Sequence, residues 1–202
     1  MKIGLFGGTF DPIHFGHILP VKEAQAQLGL DQVIYLPTAM PPHKPGGQVA
    51  PPQARWTMVE LALLREPGLV ADPFELAPMR EAFTVDSVEH FRSTIPAADL
   101  YLLIGCDSFA ELHTWSRWEE LVAMVKLAVL VRPDWRPGAL EAQLTPEVSA
   151  LIGQDNVSFI TNQPVAVSAT QLRRMLAEGA QPPAGWLPEL VLEYIQKYDL
   201  YR

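Results

Sequence analysis

MKIGLFGGTFDPIHFGH, residues 1–17, is the stretch that decides the fold. Met1 to Phe6 form a short apolar run that suits a buried strand. Gly7-Gly8-Thr9-Phe10-Asp11-Pro12 break that run into a turn, and His14 and His17 stand where a helix should begin. A strand, a glycine turn and a helix start, in that order, suit a polyanion held by backbone N–H groups and the positive end of a helix macrodipole. Gly7 and Gly8 carry no Cβ and so let the backbone approach a phosphate. His14 and His17 can donate hydrogen bonds into the charge that builds up during phosphate chemistry. Two other readings stand beside this one. The glycines could end an ordinary strand with two surface histidines after it, or the histidines could hold zinc. The zinc reading is the poorer, because two histidines at i, i+3 have no nearby Cys or third ligand. The adjacent glycines also set the stretch apart from the dinucleotide-binding GxGxxG pattern.

Outward from that stretch, strand-like and helical runs alternate. Lys2–Phe6 is predicted as the first strand and Gly16–Leu28 as a helix closed by Gly29. Gln32–Leu36 is predicted as the second strand. Trp56, Val59 and Leu63 recur at i, i+3 and i+7 and predict a helix from about Pro52 to Arg65. Leu69–Leu76 should contain a third strand, Thr84–Ser93 a helix, and Leu100–Ile104 a fourth strand. Trp118, Leu121, Val122 and Val125 mark another helix. Leu127–Val131 is apolar throughout, as a strand buried on both faces is, and Val157–Ile160 adds a sixth. The alternation predicts a single-domain α/β fold over residues 1–202, a Rossmann-like, mostly parallel sheet with right-handed crossovers and helices on both faces. Ligands of such sheets sit at the carboxyl ends of the strands, where the strand order reverses. The Pro/Gly-rich stretch Pro41–Pro52 reads as a long loop suited to covering a substrate.

Composition narrows the class. A chain of 202 residues with 49% apolar residues can bury a sizeable core. No apolar run approaches the ~20 residues of a spanning helix, so no membrane partner is expected. A net charge of −8 without a basic tract argues against nucleic acid. A small anionic substrate stays compatible, because local dipoles and a few cations outweigh a distant net charge. The single cysteine, Cys106, forbids an intrachain disulfide and fits a reducing compartment. The first strand starts at Lys2 and leaves no space for a leader, so a cytoplasmic location is expected. A homo-oligomer is left open.

Three further segments carry chemistry. Pro41-Pro42-His43-Lys44 stiffens a loop and offers donors and positive charge to a phosphate, although it could equally be a solvated loop. Ile104-Gly105-Cys106-Asp107 ends the fourth strand, with Thr114-Trp115 after it. Gly105 permits close approach of a ligand, and Asp107 can accept from ribose hydroxyls or cap a helix. Trp115 can stack on a flat heteroaromatic ring or pack in the core. Cys106 has no local base and reads poorly as a nucleophile. Ser168 and Gln171 form a capping box at the start of a helix. Thr170 and Arg173 are not explained by capping. With the helix start they form a second polyphosphate clamp, expected to face the first across the sheet.

GGTFDPIHFGH resembles the signature of the nucleotidylyltransferase superfamily, and the full set of motifs is similar to bacterial nicotinate-mononucleotide adenylyltransferases. That family carries GGTFDPxHxGH, PPHK or PPHR, a Tyr-Thr pair, IGxD followed by Thr-Trp, and an [IV]S[SA]TxIR segment, in the order found here. The resemblance implies that Gly7, Gly8, Thr9, Phe10, His14, His17, Gly105, Asp107, Ser168, Thr170 and Arg173 hold ATP. It implies that His43, Lys44, Phe83, Thr84 and Trp115 face nicotinate mononucleotide. His14, His17, Lys44 and Arg173 are implied as catalytic, with Mg²⁺ carried by ATP and no metal site of the protein's own. Phe83 stands where many members have Tyr, and Leu172 where they have Ile. The implied reaction is in-line attack of the acceptor's 5′-phosphate on the α-phosphorus of ATP. An acceptor of phosphopantetheine or the nicotinamide nucleotide is the alternative within the same chemistry, and a non-catalytic ATP sensor is the alternative outside it. Backbone N–H groups near Thr84 and Trp115 are expected to meet the pyridine ring's substituent.

Overall fold

A computed structural model of the chain describes residues 1–39, 50–77, 83–131, 143–162 and 165–202. Among the described residues six strands form one sheet, in the order β3-β2-β1-β4-β5-β6. They are β1 (Lys2–Gly8), β2 (Gln32–Pro37), β3 (Leu69–Ala71), β4 (Asp99–Gly105), β5 (Lys126–Leu130) and β6 (Val157–Ile160). Every neighbouring pair is parallel, so the sheet is wholly rather than mostly parallel. The register is closed at the site: Gly7 and Gly8 of β1 stand beside Leu36 and Pro37 of β2.

The helices are α1 (Phe15–Leu28), α2 (Pro52–Leu63), α3 (Thr84–Thr94), α4 (Cys106–Ala110), α5 (Trp118–Met124), α6 (Pro146–Ser149), α7 (Ala169–Ala177) and α8 (Glu189–Lys197). Strand residues alternate between two buried layers, as the two-residue period of a strand dictates. Val33, Tyr35, Tyr101, Leu103, Ala128 and Leu130 pack against α1, α2, α7 and α8. Ile34, Leu36, Leu100, Leu102, Ile104, Leu127 and Val129 pack against α3, α4 and α5 on the other face.

Several boundaries differ from the sequence reading by a residue or two, and β1 runs on through Gly7 and Gly8, which were expected in the turn. Strand β3 stops at Ala71, and Pro73 leads into a 3₁₀ turn over Phe74–Leu76. Helix α2 stops at Leu63, short of Arg65. Among the described residues no helix is long and apolar enough to cross a membrane.

The order 3-2-1-4-5-6 reverses between β1 and β4, and the crevice at their carboxyl ends is where an open parallel sheet binds its ligand. Gly7-Gly8 and Gly105 end those two strands.

Candidate active site

The turn after β1 is held by an aromatic cluster. Phe10 adopts a left-handed backbone (φ 47°), which a non-glycine residue seldom takes, and is buried to 2% exposure. Its ring lies against Phe6, Tyr35 and His17 at centroid distances of 5.6, 5.6 and 5.3 Å. A Cβ on Gly8 would stand 2.9 Å from that ring. Gly8 is therefore required by Phe10 as well as by any ligand that approaches the backbone.

His14 is the extended residue before α1, and His17 lies in its first turn. The two rings stack with centroids 3.8 Å apart. His17 Nδ1 accepts from the His14 N–H at 3.3 Å, so in the neutral ring the proton sits on Nε2, which is left to donate outward. Burial holds the His14 imidazole down at about 4. Burial, and then the neighbouring His14, hold His17 well below its ordinary value. Both rings are neutral at neutral pH. His14 Nδ1 is buried without a hydrogen-bond partner among the described residues, a cost that a bound acceptor or donor would remove. A Cβ on Gly16 would meet the His14 ring at 2.9 Å and Val167 at 3.1 Å, so this glycine lets the start of α7 come close to α1.

That approach corrects the expected placement of the second clamp. Arg173 reaches Asp11 in the β1 turn directly, donating from one guanidinium nitrogen to the Asp11 carbonyl at 2.7 Å with the carboxylate at 3.6 Å. Its other nitrogen donates to Thr170 Oγ1 at 3.4 Å. Ser168 caps α7 by accepting from the Gln171 N–H at 3.2 Å. The two helix starts are side by side in one layer, with both in the cluster that includes Ile18 and Leu172, and do not face each other across the sheet.

Asp11, 3% exposed, is also the hub of a buried network. Tyr201 donates its hydroxyl to Asp11 Oδ1 at 2.7 Å, and the Ala50 N–H donates to the same oxygen at 3.0 Å. Burial, then the Asp11 carboxylate, push the Tyr201 hydroxyl upward. Arg55 is fully buried, and its guanidinium donates to the carbonyls of Thr9 (2.6 Å), Ala39 (2.8 Å) and Ala50 (3.2 Å). Burial lowers its pKa and the Asp11 charge opposes that.

A cavity of about 700 Å³ opens at the β1–β4 crevice. Gly7, Gly8, Thr9, Phe83, Thr84, Gly105 and Trp115 line it, together with Thr38 and Glu75. Trp115 follows the 3₁₀ turn Leu112–Thr114, and its N–H is taken by the Leu112 carbonyl at 3.0 Å. Thr84 opens α3 next to the exposed Phe83, and the first N–H groups of a helix have no intrahelical acceptor. The Trp115 N–H is thus already taken, whereas the Thr84 N–H at the start of α3 has no hydrogen-bond partner within its helix. Asp107 is exposed in the first turn of α4, while the buried Cys106 thiol donates to the Leu130 carbonyl at 3.4 Å. His43 and Lys44 lie outside the described residues. A second cavity of about 510 Å³, lined by Asp99, Lys126 and Asn156, opens at the opposite end of β4 and β5 and holds none of the predicted residues. Among the described residues no group of three or more His, Cys, Asp or Glu converges as metal ligands would.

Sequence reasoning assigned no role to Asp11, Thr38, Arg55, Glu75 or Tyr201. Arg55 had left a signal. The buried face of α2 is Ala54, Arg55, Met58, Val59, Ala62 and Leu63, so a charge sits at an inward helical position. Glu75 left none, since an isolated acid is ordinarily solvated.

Residues 5–175 match the family described as cytidylyltransferase-like. A relative from Pseudomonas aeruginosa strain UCBPP-PA14, named as a probable nicotinate-nucleotide adenylyltransferase, is 40% identical over all of this chain and 97% of its own length. One from Aeromonas salmonicida, with the same name, is 38% identical over 99% of this chain and 97% of its own. Among solved structures, the Plasmodium falciparum nicotinic acid mononucleotide adenylyltransferase complexed with NaAD superposes with a TM-score of 0.79. It is 16% identical, and the match covers 99% of this chain and 97% of that one. This likeness is one of fold.

Proposed function

This chain belongs to the cytidylyltransferase-like family and, within it, to the nicotinate-nucleotide adenylyltransferases, and from that membership we propose that it joins ATP to nicotinate mononucleotide, giving deamido-NAD and pyrophosphate for NAD biosynthesis. The observation that carries the reading is the turn after β1: two neutral stacked imidazoles and the Arg173 guanidinium are held at its Phe10–Asp11 side, and its Gly8 and Thr9 wall a cavity with Trp115 and Thr84. One part suits a polyphosphate and the other a flat ring on a sugar phosphate.

In the proposed reaction an oxygen of the acceptor's 5′-phosphate forms a bond to the α-phosphorus of ATP. The bond from that phosphorus to the oxygen bridging the β-phosphate breaks, and pyrophosphate leaves with the electron pair. The attacking phosphate is already anionic at neutral pH and needs no general base. Catalysis is then positioning and charge stabilisation. His17 Nε2–H and the His14 ring donate to phosphate oxygens, and the polyphosphate's charge would draw both imidazole pKa values upward. The starts of α1 and α7 add the positive ends of their dipoles. Arg173 binds the departing pyrophosphate, with Ser168 and Thr170 beside it. Gly7, Gly8, Thr9 and Phe10 present the backbone to the phosphates, and Gly105 and Asp107 lie against the adenosine. His43 and Lys44 complete the acceptor's phosphate site. Mg²⁺ enters with ATP as part of the substrate, its ligands phosphate oxygens and water. The 202 residues act as one catalytic unit on soluble metabolites in the cytoplasm.

The pyridine ring stacks on Trp115, with Phe83 and Thr84 on its other side. The start of α3 offers the Thr84 and Val85 N–H groups, which have no hydrogen-bond partner within the helix, and a positive dipole end; these satisfy a carboxylate and leave a carboxamide's NH₂ facing donors. The acid should be preferred by tenfold or more, the cost of leaving buried polar groups unpaired. ATP-dependent pyrophosphate release, measured with nicotinate mononucleotide, its amide and phosphopantetheine, tests both statements. Release with the acid supports the transferase reading, and equal kcat/KM for acid and amide would refute the specificity.

A further inference from the structure

Two polar side chains in the cavity have no part in the transfer as described. Glu75, 4% exposed, sits in the 3₁₀ turn after β3, and Thr38 follows β2. Thr38 is fixed to the phosphate turn, its N–H donating to the Gly8 carbonyl at 3.0 Å, and Glu75 is fixed to the next residue, the Ala39 N–H donating to the Glu75 carbonyl at 3.1 Å. A Cβ placed on Gly7 would lie 4.0 Å from Glu75 Oε1. That oxygen accepts from Ser87 Oγ at 2.7 Å, and Ser87 lies one turn into α3 from Thr84. Glu75 thus spans the gap between the phosphate turn and the helix at which the ring substituent is placed. Thr38, which lines the same cavity, has its Oγ1 buried without a hydrogen-bond partner among the described residues.

A mononucleotide with its phosphate at Gly8–Thr9 and its ring between Thr84 and Trp115 must lay its sugar across Gly7, in front of these two groups. We propose that Glu75 and Thr38 form the subsite for the ribose of the acceptor mononucleotide, the carboxyl and the hydroxyl pairing with the sugar's hydroxyls. The inference rests on the adenylyl-transfer reading above and deepens it. The chemistry matches. A vicinal diol offers two donors and several acceptors, a hydroxyl rotates to suit either role, and a carboxyl accepts when ionised and can donate when protonated. Burial pushes the Glu75 carboxyl up to about 7, so both of its forms are populated near neutral pH. A buried hydroxyl without a partner is costly, and a ligand hydroxyl repays that cost.

ATP also carries a ribose, so the test separates the two sugars. Steady-state kinetics would be run on wild type, Glu75→Gln, Thr38→Val and Ser87→Ala with nicotinate mononucleotide, its 2′-deoxy and 3′-deoxy analogues, and the corresponding deoxy-ATPs. Wild type should lose at least tenfold in kcat/KM with one or both acceptor analogues. Glu75→Gln or Thr38→Val should reduce that loss to about threefold or less while leaving the deoxy-ATP penalties unchanged. Ser87→Ala, which removes only the hydrogen bond that ties Glu75 to α3, should keep the wild-type pattern. Equal acceptor penalties in wild type and both site variants would overturn the subsite. So would a Ser87→Ala pattern identical to that of Glu75→Gln, which would make Glu75 a support for α3 alone. Changed deoxy-ATP penalties would assign the groups to the adenosine ribose and also overturn it. Failure of wild type to release pyrophosphate with nicotinate mononucleotide would instead remove the transferase reading, and the subsite with it.

Discussion

Glu75→Gln should remove a dependence of stability on pH that the wild type carries. Burial pushes the Glu75 carboxyl from 4.5 up to about 7, against the opposing pull of its hydrogen bond with Ser87. Between those values the native state keeps a proton that the unfolded chain has released. The stabilisation is therefore complete below pH 4.5 and is lost as pH rises through about 7. At about 1.4 kcal/mol per pH unit, the displacement from 4.5 to about 7 corresponds to roughly 3 kcal/mol. The residue is only 4% exposed, so solvent screening takes little from that figure. Gln keeps the shape and an oxygen for Ser87 Oγ, and has no proton to lose. The stability of the variant relative to wild type should climb by about 3 kcal/mol between pH 4.5 and 7 and then level off. His14 and His17 act in the opposite sense, because below 6.5 the unfolded chain takes up protons that the native imidazoles refuse. That loss on acidification is common to both proteins and cancels in the difference. Urea denaturation followed by tryptophan fluorescence, at a series of pH values across this range, supplies the two curves. Parallel curves would mean that the buried carboxyl titrates as it does in the unfolded chain, and would refute the reasoning.

Three further outcomes follow from the geometry. His17→Ala should lower kcat by about 10²–10³-fold, as loss of a preorganised donor to transition-state charge does, with a much smaller effect on the melting temperature; a variant that turns over at the wild-type rate would remove His17 from the mechanism. Arg55→Lys keeps the charge but strands two of the three carbonyls of Thr9, Ala39 and Ala50, which should cost about 2–6 kcal/mol in urea unfolding. A shift below about 0.5 kcal/mol would show that those carbonyls find other partners. Trp115→Ala should raise KM for nicotinate mononucleotide and leave KM for ATP unchanged, and equal changes in both would show that the ring does not stack there.

The sheet was legible in the sequence because a parallel strand buried on both faces leaves an unbroken apolar run, as in Leu100–Ile104 and Leu127–Val131. The phosphate turn was legible because glycines, histidines and a helix start coincide within a dozen residues. Strand β3 was poorly bounded, since Leu69–Leu76 has no residue that separates three strand positions from the 3₁₀ turn after them, apart from Pro73. Helix α8 went unread, although its apolar positions Val191 and Ile195 follow a proline start. The neighbourhood of α1 and α7 could not be read either. It depends on Gly16 leaving space for Val167, a neighbour about 150 positions away that local periodicity does not encode. Arg55 was overlooked because the helical stripe was drawn through Trp56, which is only partly buried, instead of through Met58. Glu75 and Thr38 are polar residues whose neighbours come from other strands and helices, and no property of their own segments distinguishes them from a solvated loop.

The hydrogen bond from Tyr201 to Asp11 joins residues 190 positions apart. The hydroxyl that fixes the aspartate of the phosphate turn is synthesised 190 residues after it. At ~5–20 residues per second, that interval is roughly 10–40 s. A chain that stalls before Tyr201 carries the whole signature motif with Asp11 held by fewer partners, and so has the residues of a nucleotide site without its finished shape. The linkage ties the finished shape of the phosphate turn to a residue made 190 positions after it, and not to the appearance of the motif itself.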